Sequence, residues 1–272
     1  MVTAAQAVSP PMPRSRFLEG QVAIITGSDS GIGRAMAEMF AAHGADVAIT
    51  FRTDAAGAGE AVQAVEAAGR HAIRQKVDVR EEADVAALFE AVTRTLGVPT
   101  ILVNNAGRNA PVASVADTTT ADFDDTIRTN LYGAFFCCRE FVRARKRAGG
   151  GGKIVNVTSV HEAIPSPDNA AYGAAKGGLL TFTRSLALEV APLRINVNAL
   201  APGHIRTPMT AGRTRDPKIY AQEMKNIPWH RPGEPAEVAR LALYLVSPEA
   251  DYVTGQSFTI DGGLKMNWGQ GA

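Results

Sequence analysis

A short apolar run, Val22-Ala-Ile-Ile-Thr26, passes straight into Gly27-Ser28-Asp29-Ser30-Gly31-Ile32-Gly33 and then into the helix-forming stretch Arg34-Ala-Met-Ala-Glu-Met-Phe40. A buried strand that turns on glycine into a helix is half of a parallel β-α-β unit, which limits the chain to a small group of folds. Glycines there let the backbone turn tightly and approach a pyrophosphate, whose charge sits against the helix N-terminus. The spacing is G-x-x-x-G-x-G, not G-x-G-x-x-G, a different arrangement of the same device. Gly27, Ser28, Ser30, Gly31, Ile32 and Gly33 are therefore candidate cofactor contacts, the simpler alternative being a glycine turn with no ligand. A second G-x-G, Gly57-Ala-Gly59, puts Val62 where close packing needs a small residue and reads as a solvated helix start.

The alternation continues to the end of the chain. Strands are predicted at 22–26, 46–51, 71–77, 100–104, 153–157, 194–199 and 257–260, with helices near 31–43, 54–68, 82–96, 122–147, 171–190 and 235–246. Gly44 and Gly69 stand where left-handed helix stops are needed. The pattern defines an α/β chain, a Rossmann-type doubly wound, seven-stranded parallel sheet with helices on both faces. Its 272 residues suit one domain, 18–272, behind a mobile N-terminal arm, 1–17. The segment 207–228, punctuated by Pro208, Pro217 and Pro228, reads as a lid, and Gly149-Gly-Gly-Gly152 as a flexible link.

Lys plus Arg number 28 against 27 acidic residues, so a net charge of +1 offers nothing to nucleic acid or an anionic membrane. No apolar run nears the roughly 20 residues of a membrane span. The expected partner is a small molecule. Cys137 and Cys138, the two cysteines, are adjacent on a predicted helix and point apart, which argues against a mutual disulfide and for a reducing, cytoplasmic setting. The opening Met1 to Arg16 lacks the apolar core of a secretory signal. His43, His71, His204 and His230 show no metal-ligand spacing, so no metal is expected; only His204, just after Pro202-Gly203, is close enough to line a cleft.

The chemistry gathers later in the chain. In Tyr172-Gly-Ala-Ala-Lys176 the two polar side chains share one helix face. A nearby ammonium favours phenolate, so Lys176 is expected to pull the Tyr172 pKa down from about 10. The same pattern also arises on ordinary amphipathic helices. Ser159 stands thirteen residues upstream, after the apolar run 153–158, at the strand edge where open α/β sheets bind ligands. At the end of the second strand, Phe51-Arg52 replaces the carboxylate that would accept ribose hydroxyls, and Arg52 suits a 2′-phosphate. NADP(H) is therefore expected as the preferred cofactor, with NAD(H) also accepted. Asp78, followed by Val79, is a suitable acceptor for an adenine amino group, and Asn104-Asn105-Ala106-Gly107 would let a flat ring lie against backbone.

From about Leu18 to Leu264 the chain resembles the short-chain dehydrogenase/reductase family. The resemblance rests on Thr26-Gly27 with Gly31 and Gly33, Asp78, Asn104 to Gly107, Asn130, Ser159, Tyr172 with Lys176, and Pro202-Gly203. It implies that Tyr172 moves the proton and that Lys176 tunes it and holds the nicotinamide ribose. It also implies that Ser159 bonds the reacting oxygen and that Asn130 supports a water-linked proton path to Lys176. Pro202, Gly203, Ile205 and Thr207 join the cofactor contacts.

A closer likeness, in Ser159-Val-His-Glu162, Ile205-Arg-Thr-Pro208, Thr254-Gly-Gln256 and Asp261-Gly-Gly263, is to bacterial NAD(P)-dependent glucose 1-dehydrogenases. That likeness implies oxidation of an aldose at C1 by a homotetramer, with Ser159, His161, Glu162, Tyr172 and His204 toward the sugar. His161 and Glu162 have plainer readings as a loop histidine and a solvated acid. The alternatives are a reductase of 3-oxoacyl thioesters or other ketones, and, more remotely, a non-catalytic nucleotide-binding regulator.

Overall fold

The computed structural model describes residues 16–109 and 111–267. Seven parallel strands form one sheet: β1 (Val22–Ile25), β2 (Asp46–Phe51), β3 (Ala72–Lys76), β4 (Ile101–Asn104), β5 (Gly152–Val157), β6 (Ile195–Pro202) and β7 (Ser257–Ile260). Their order is β3-β2-β1-β4-β5-β6-β7. The winding reverses between β1 and β4, where Ile24 pairs with Ala48 on one side and Leu102 on the other. The arm predicted over 1–17 falls outside the described residues except for Arg16 and Phe17, and Phe17 already stacks on His43 at 5.7 Å.

Because both faces of the sheet's centre are covered, the inner strands β1, β2 and β4 are mostly apolar and successive side chains enter opposite layers, whereas edge strand β3, Ala72-Ile-Arg-Gln-Lys76, is partly exposed. Ile25, Val47 and Ile49 pack with Met36 and Phe40 of α1 (Gly31–Ala42), Val65 of α2 (Ala55–Ala67) and Leu245 of α9 (Pro235–Val246). Ile24, Ala48 and Leu102 face the other way. They meet Leu88 and Phe89 of α3 (Glu82–Thr95), Phe141 of α5 (Gly133–Arg147) and Leu186 of α6 (Ala170–Val190).

Two local readings change. The helix predicted over 122–147 is α4 (Thr120–Ile127) running into α5 through a π-helical turn, Arg128–Tyr132. The extra residue of such a turn re-aims the side chains within it, and Asn130 is one of them. The four-glycine stretch is pinned rather than loose: Arg145 donates to the carbonyls of Gly150 and Gly151, and all four glycines have positive φ. Arg145 is thereby committed to the loop. Gly57, as expected, is an ordinary part of the first turn of α2, its amide donating to Asp54.

Between Gly203 and Gly233 the chain leaves the sheet and makes two short helices, α7 (Ala211–Arg215) and α8 (Pro217–Met224). Met224 and Ile227 pack on Val160 and Leu264, which fixes this segment above the β5 and β6 ends. No described helix is long and apolar enough to cross a membrane.

The turn after β1 is the tightest place in the fold. Gly27 and Gly31 have φ of 63° and 54°. A Cβ on Gly33 would stand 2.2 Å from the Gly27 carbonyl oxygen and 2.5 Å from Asn105 Nδ2. Gly33→Ala should therefore lower the melting temperature by roughly 5–10 °C and abolish measurable nucleotide binding. Calorimetry and a fluorescence titration with NADPH check both effects.

Candidate active site

The ends of the first six strands open into one cleft of about 670 Å³. It is lined in turn by Gly27 and Gly31 after β1, Phe51 and Arg52 after β2, and Asp78 and Val79 after β3. Asn105, Ala106 and Gly107 follow β4, Ser159 and His161 follow β5, and Gly203 to Ile205 with Thr207 to Thr210 follow β6. Tyr172 and Lys176 come in from α6.

The residues predicted for a dinucleotide fall into two groups. Gly27, Ser30, Gly31, Ile32, Arg52, Asp78, Val79, Asn105, Ala106, Gly107, Pro202, Gly203, Ile205 and Thr207 line the cleft. Ser28 and Gly33 do not. The Ser28 hydroxyl is fully buried, donating to the Ile25 carbonyl at 2.8 Å and accepting from the Thr50 amide at 3.0 Å, so it ties β1 to β2. Gly33 supplies close packing against Gly27 and Asn105. Asn105 Nδ2 donates to the carbonyls of Thr26 and Gly27 at 3.0 and 2.9 Å, while Thr26 Oγ1 accepts from the amides of Asn105 and Ala106.

Gly107 is held against Asn130, whose Oδ1 would lie 2.8 Å from a Cβ at that position. A bare backbone cradle, an exposed guanidinium at one end and a titratable pair at the other fit a nicotinamide dinucleotide.

Asp78 reaches the cleft, but its carboxylate is already bound by Arg80, which holds it below the ordinary carboxylate range. Asp125 continues the chain of charges from Arg80 to Arg108. Asp29, which the motif reading passed over, also lines the turn, and burial lifts its carboxyl above the usual value. A carboxyl that is easily neutralised is the form compatible with a phosphate nearby.

At the other end, Ser159 caps a 3₁₀ turn and its hydroxyl accepts from the His161 amide. His161 meets the Tyr172 ring edge-on at 6.1 Å. Lys176 is 4% exposed, donates from Nζ to the Val157 carbonyl at 2.8 Å, and lies 5.6 Å from the Tyr172 ring centre. Asn130 Nδ2 donates to the carbonyls of Thr126 and Arg108, both at 2.9 Å, which locks the loop after β4 to the π turn. Asn104, Asn130, Thr129 and Lys176 border a small cavity of about 10 Å³, roughly one water. Asn104 Oδ1 is buried without a partner among the described residues.

Electrostatics overturn one expectation. Lys176 does not pull the Tyr172 phenol down in this structure. Burial raises the phenol above its ordinary value, and a hydrogen bond with Ser159 opposes the rise. Burial also pushes Lys176 down to about 8, opposed by the negative charge of Glu162. The shared cause is desolvation, which penalises phenolate and ammonium alike, and the lysine head is turned to a carbonyl.

Glu162 is the second correction. In a three-residue-per-turn helix it points away from His161, and it accepts from Ser257 Oγ on β7 instead of lining the cleft. His204 does line it, 9% exposed, together with Asn169, Glu223 and Asn226, for which the sequence carried no motif signal. Cys137 and Cys138 are buried free thiols, and no described group of side chains has the makings of a metal site.

Residues 27–265 match a family model described as Enoyl-(Acyl carrier protein) reductase. The 3beta-hydroxysteroid dehydrogenase 1 of Eggerthella lenta is 40% identical over 259 residues, covering 93% of this chain and 98% of that protein. Glucose 1-dehydrogenase 2 of Bacillus subtilis is 35% identical, covering 92% of this chain and 96% of the relative. A gluconate 5-dehydrogenase from Burkholderia cenocepacia, solved with NADP and tartrate, superposes with a TM-score of 0.86 at 32% identity, over 93% of this chain and 98% of its own. The chain belongs to the short-chain dehydrogenase/reductase family, whose members bind nicotinamide cofactors and act on alcohols and ketones.

The buried lysine gives a measurable signature. Its folded-state pKa, about 8, lies below the ordinary 10.5, so the folded protein bears a penalty for the ammonium below pH 8. The drop corresponds to roughly 3 kcal/mol. The penalty is relieved as pH climbs from about 8 to 10.5. Lys176→Met should therefore melt a few degrees above the wild type at pH 7, with the gap closing by pH 10, as scanning calorimetry would show.

Proposed function

We propose that this protein is an NAD(P)-dependent sugar or polyol dehydrogenase, with an aldose oxidised at C1 as the leading substrate and NADP(H) as the preferred cofactor. The observation that carries the reading is one continuous cleft with Arg52 at its far end and Ser159, Tyr172 and Lys176 at its near end. The hydride acceptor is the nicotinamide ring that such a cleft holds when loaded. Ser159 bonds the reacting oxygen and keeps it within reach of Tyr172. Tyr172 takes the hydroxyl proton, the hydrogen bond from Ser159 opposing the effect of burial on its phenol, and Lys176, with its pKa near 8, is able to pass a proton onward near neutral pH. Asn130 keeps the loop after β4 closed against the π turn, and the small cavity beside Lys176 has room for the water of a proton path outward.

Polar side chains at the near end, His161 and Asn226 among them, support a hydroxyl-rich substrate over a hydrocarbon one. A homotetramer follows from the same reading. Phe123 and Tyr132 on and beside α4, Phe135 on α5 and Leu188 on α6 are exposed apolar side chains on the helices it would join, and light scattering reads the state.

The test is a spectrophotometric panel of aldoses, polyols, hydroxysteroids and acetoacetyl thioesters, run with each cofactor. Aldose oxidation supports the reading; thioester or steroid turnover without it would end it. Tyr172→Phe should lower kcat by at least about 10³-fold while NADPH still binds. Arg52→Ala should raise the KM for NADP roughly 10- to 100-fold and leave that for NAD within about threefold, the loss of one charge-assisted contact.

A further inference from the structure

His204 sits at the end of β6 with its side chain 5% exposed, and its Nδ1 lies 2.7 Å from Glu223 Oε2 on α8. In the uncharged ring a carboxylate that close favours the hydrogen on Nδ1, which leaves a lone pair on Nε2. Nε2 is buried and has no partner among the described residues. His204 and Glu223 line the same cleft as Ser159 and Tyr172. Such an oriented and unsatisfied nitrogen is costly in a folded core, and it fits a place where a ligand supplies the missing hydrogen.

A second observation points the same way from the opposite element. Asn169 caps α6 three residues before Tyr172 and lines the cleft too. Its Oδ1 is buried without a partner among the described residues, and its side chain makes no capping bond.

We propose that His204, oriented by Glu223, together with Asn169 forms a hydroxyl-reading pair for a second hydroxyl beside the reacting carbinol. The substrate is then a vicinal diol or polyol, or an α-hydroxy ketone in the reducing direction. A lone carbonyl, an ether or an apolar ring system brings no hydrogen for these acceptors. This deepens the dehydrogenase reading above and rests on it. Because Glu223 belongs to α8 and His204 follows the end of β6, the pair also joins the segment over the cleft to the strand end beneath it.

Three four-carbon substrates test it: 2,3-butanediol in each stereoisomer, 2-butanol and 3-hydroxybutyrate, assayed with both cofactors. The wild type should prefer a butanediol over 2-butanol by tenfold or more in kcat/KM. His204→Leu should reduce that ratio by at least tenfold, chiefly through the KM for the diol, and His204→Gln, which keeps a hydrogen-bonding terminus, should recover part of it. Glu223→Gln should reduce it severalfold. Melting temperature and NADPH titration confirm that each variant is folded; if His204→Leu melts early, the other two variants carry the test.

A ratio unchanged in the variants, equal loss on all three substrates, or a wild-type preference for 3-hydroxybutyrate overturns the proposal and leaves the dehydrogenase reading standing. A wild type that binds NADPH yet oxidises none of these substrates and no sugar brings down that reading itself.

Discussion

The contact on which the structure depends joins the turns after β1 and β4. Thr26 Oγ1 receives two amides from the β4 turn, and Asn105 Nδ2 returns two bonds to the carbonyls of Thr26 and Gly27. The sheet order reverses at this pair of strands, so the loops on either side lead away from each other and leave a crevice. Four hydrogen bonds across it hold the crevice at fixed width. They also explain why Gly33 has no room for a side chain, since its Cα faces the same two groups.

The site built on that frame is held at a cost to stability. Lys176 is buried with a depressed pKa, the Tyr172 phenol is held neutral more firmly than in water, and Asn104, Asn169 and His204 each keep a buried polar atom without a partner among the described residues. Each arrangement disfavours the folded chain by itself, and a well-packed two-layer core offsets them. Their clustering around a single cleft, with the polar ladder from Asn104 through Asn156 to Thr183 below it, is what a site prepared for polar ligands requires.

Much of this was legible in the chain. The inner strands, buried on both faces, appear as short apolar runs, and each predicted strand lies within about three residues of an observed one. Glycine spacing marked the tight turn after β1, and the four-residue step from Tyr172 to Lys176 put both on one helix face. Legibility failed where direction depends on what lies across the fold. Ser28 and Glu162 were grouped with the cleft because their chain neighbours belong there, yet Ser28 is taken up by Ile25 and Thr50, and Glu162 by Ser257. The four glycines looked loose because nothing nearby in sequence shows Arg145 curling back on them.

The sequence by itself therefore determined the sheet, its two-sided cover, the family and which side chains are candidates for the reaction, because those follow from periodicity and from motifs read along one strand or one helix. Tertiary structure alone decided the sense of the Tyr172 shift, the π turn that aims Asn130, and the meeting of His204 with Glu223. A pKa depends on how much water the assembled fold removes, and a contact between residues nineteen apart exists only once a strand end and a helix above it have been brought together.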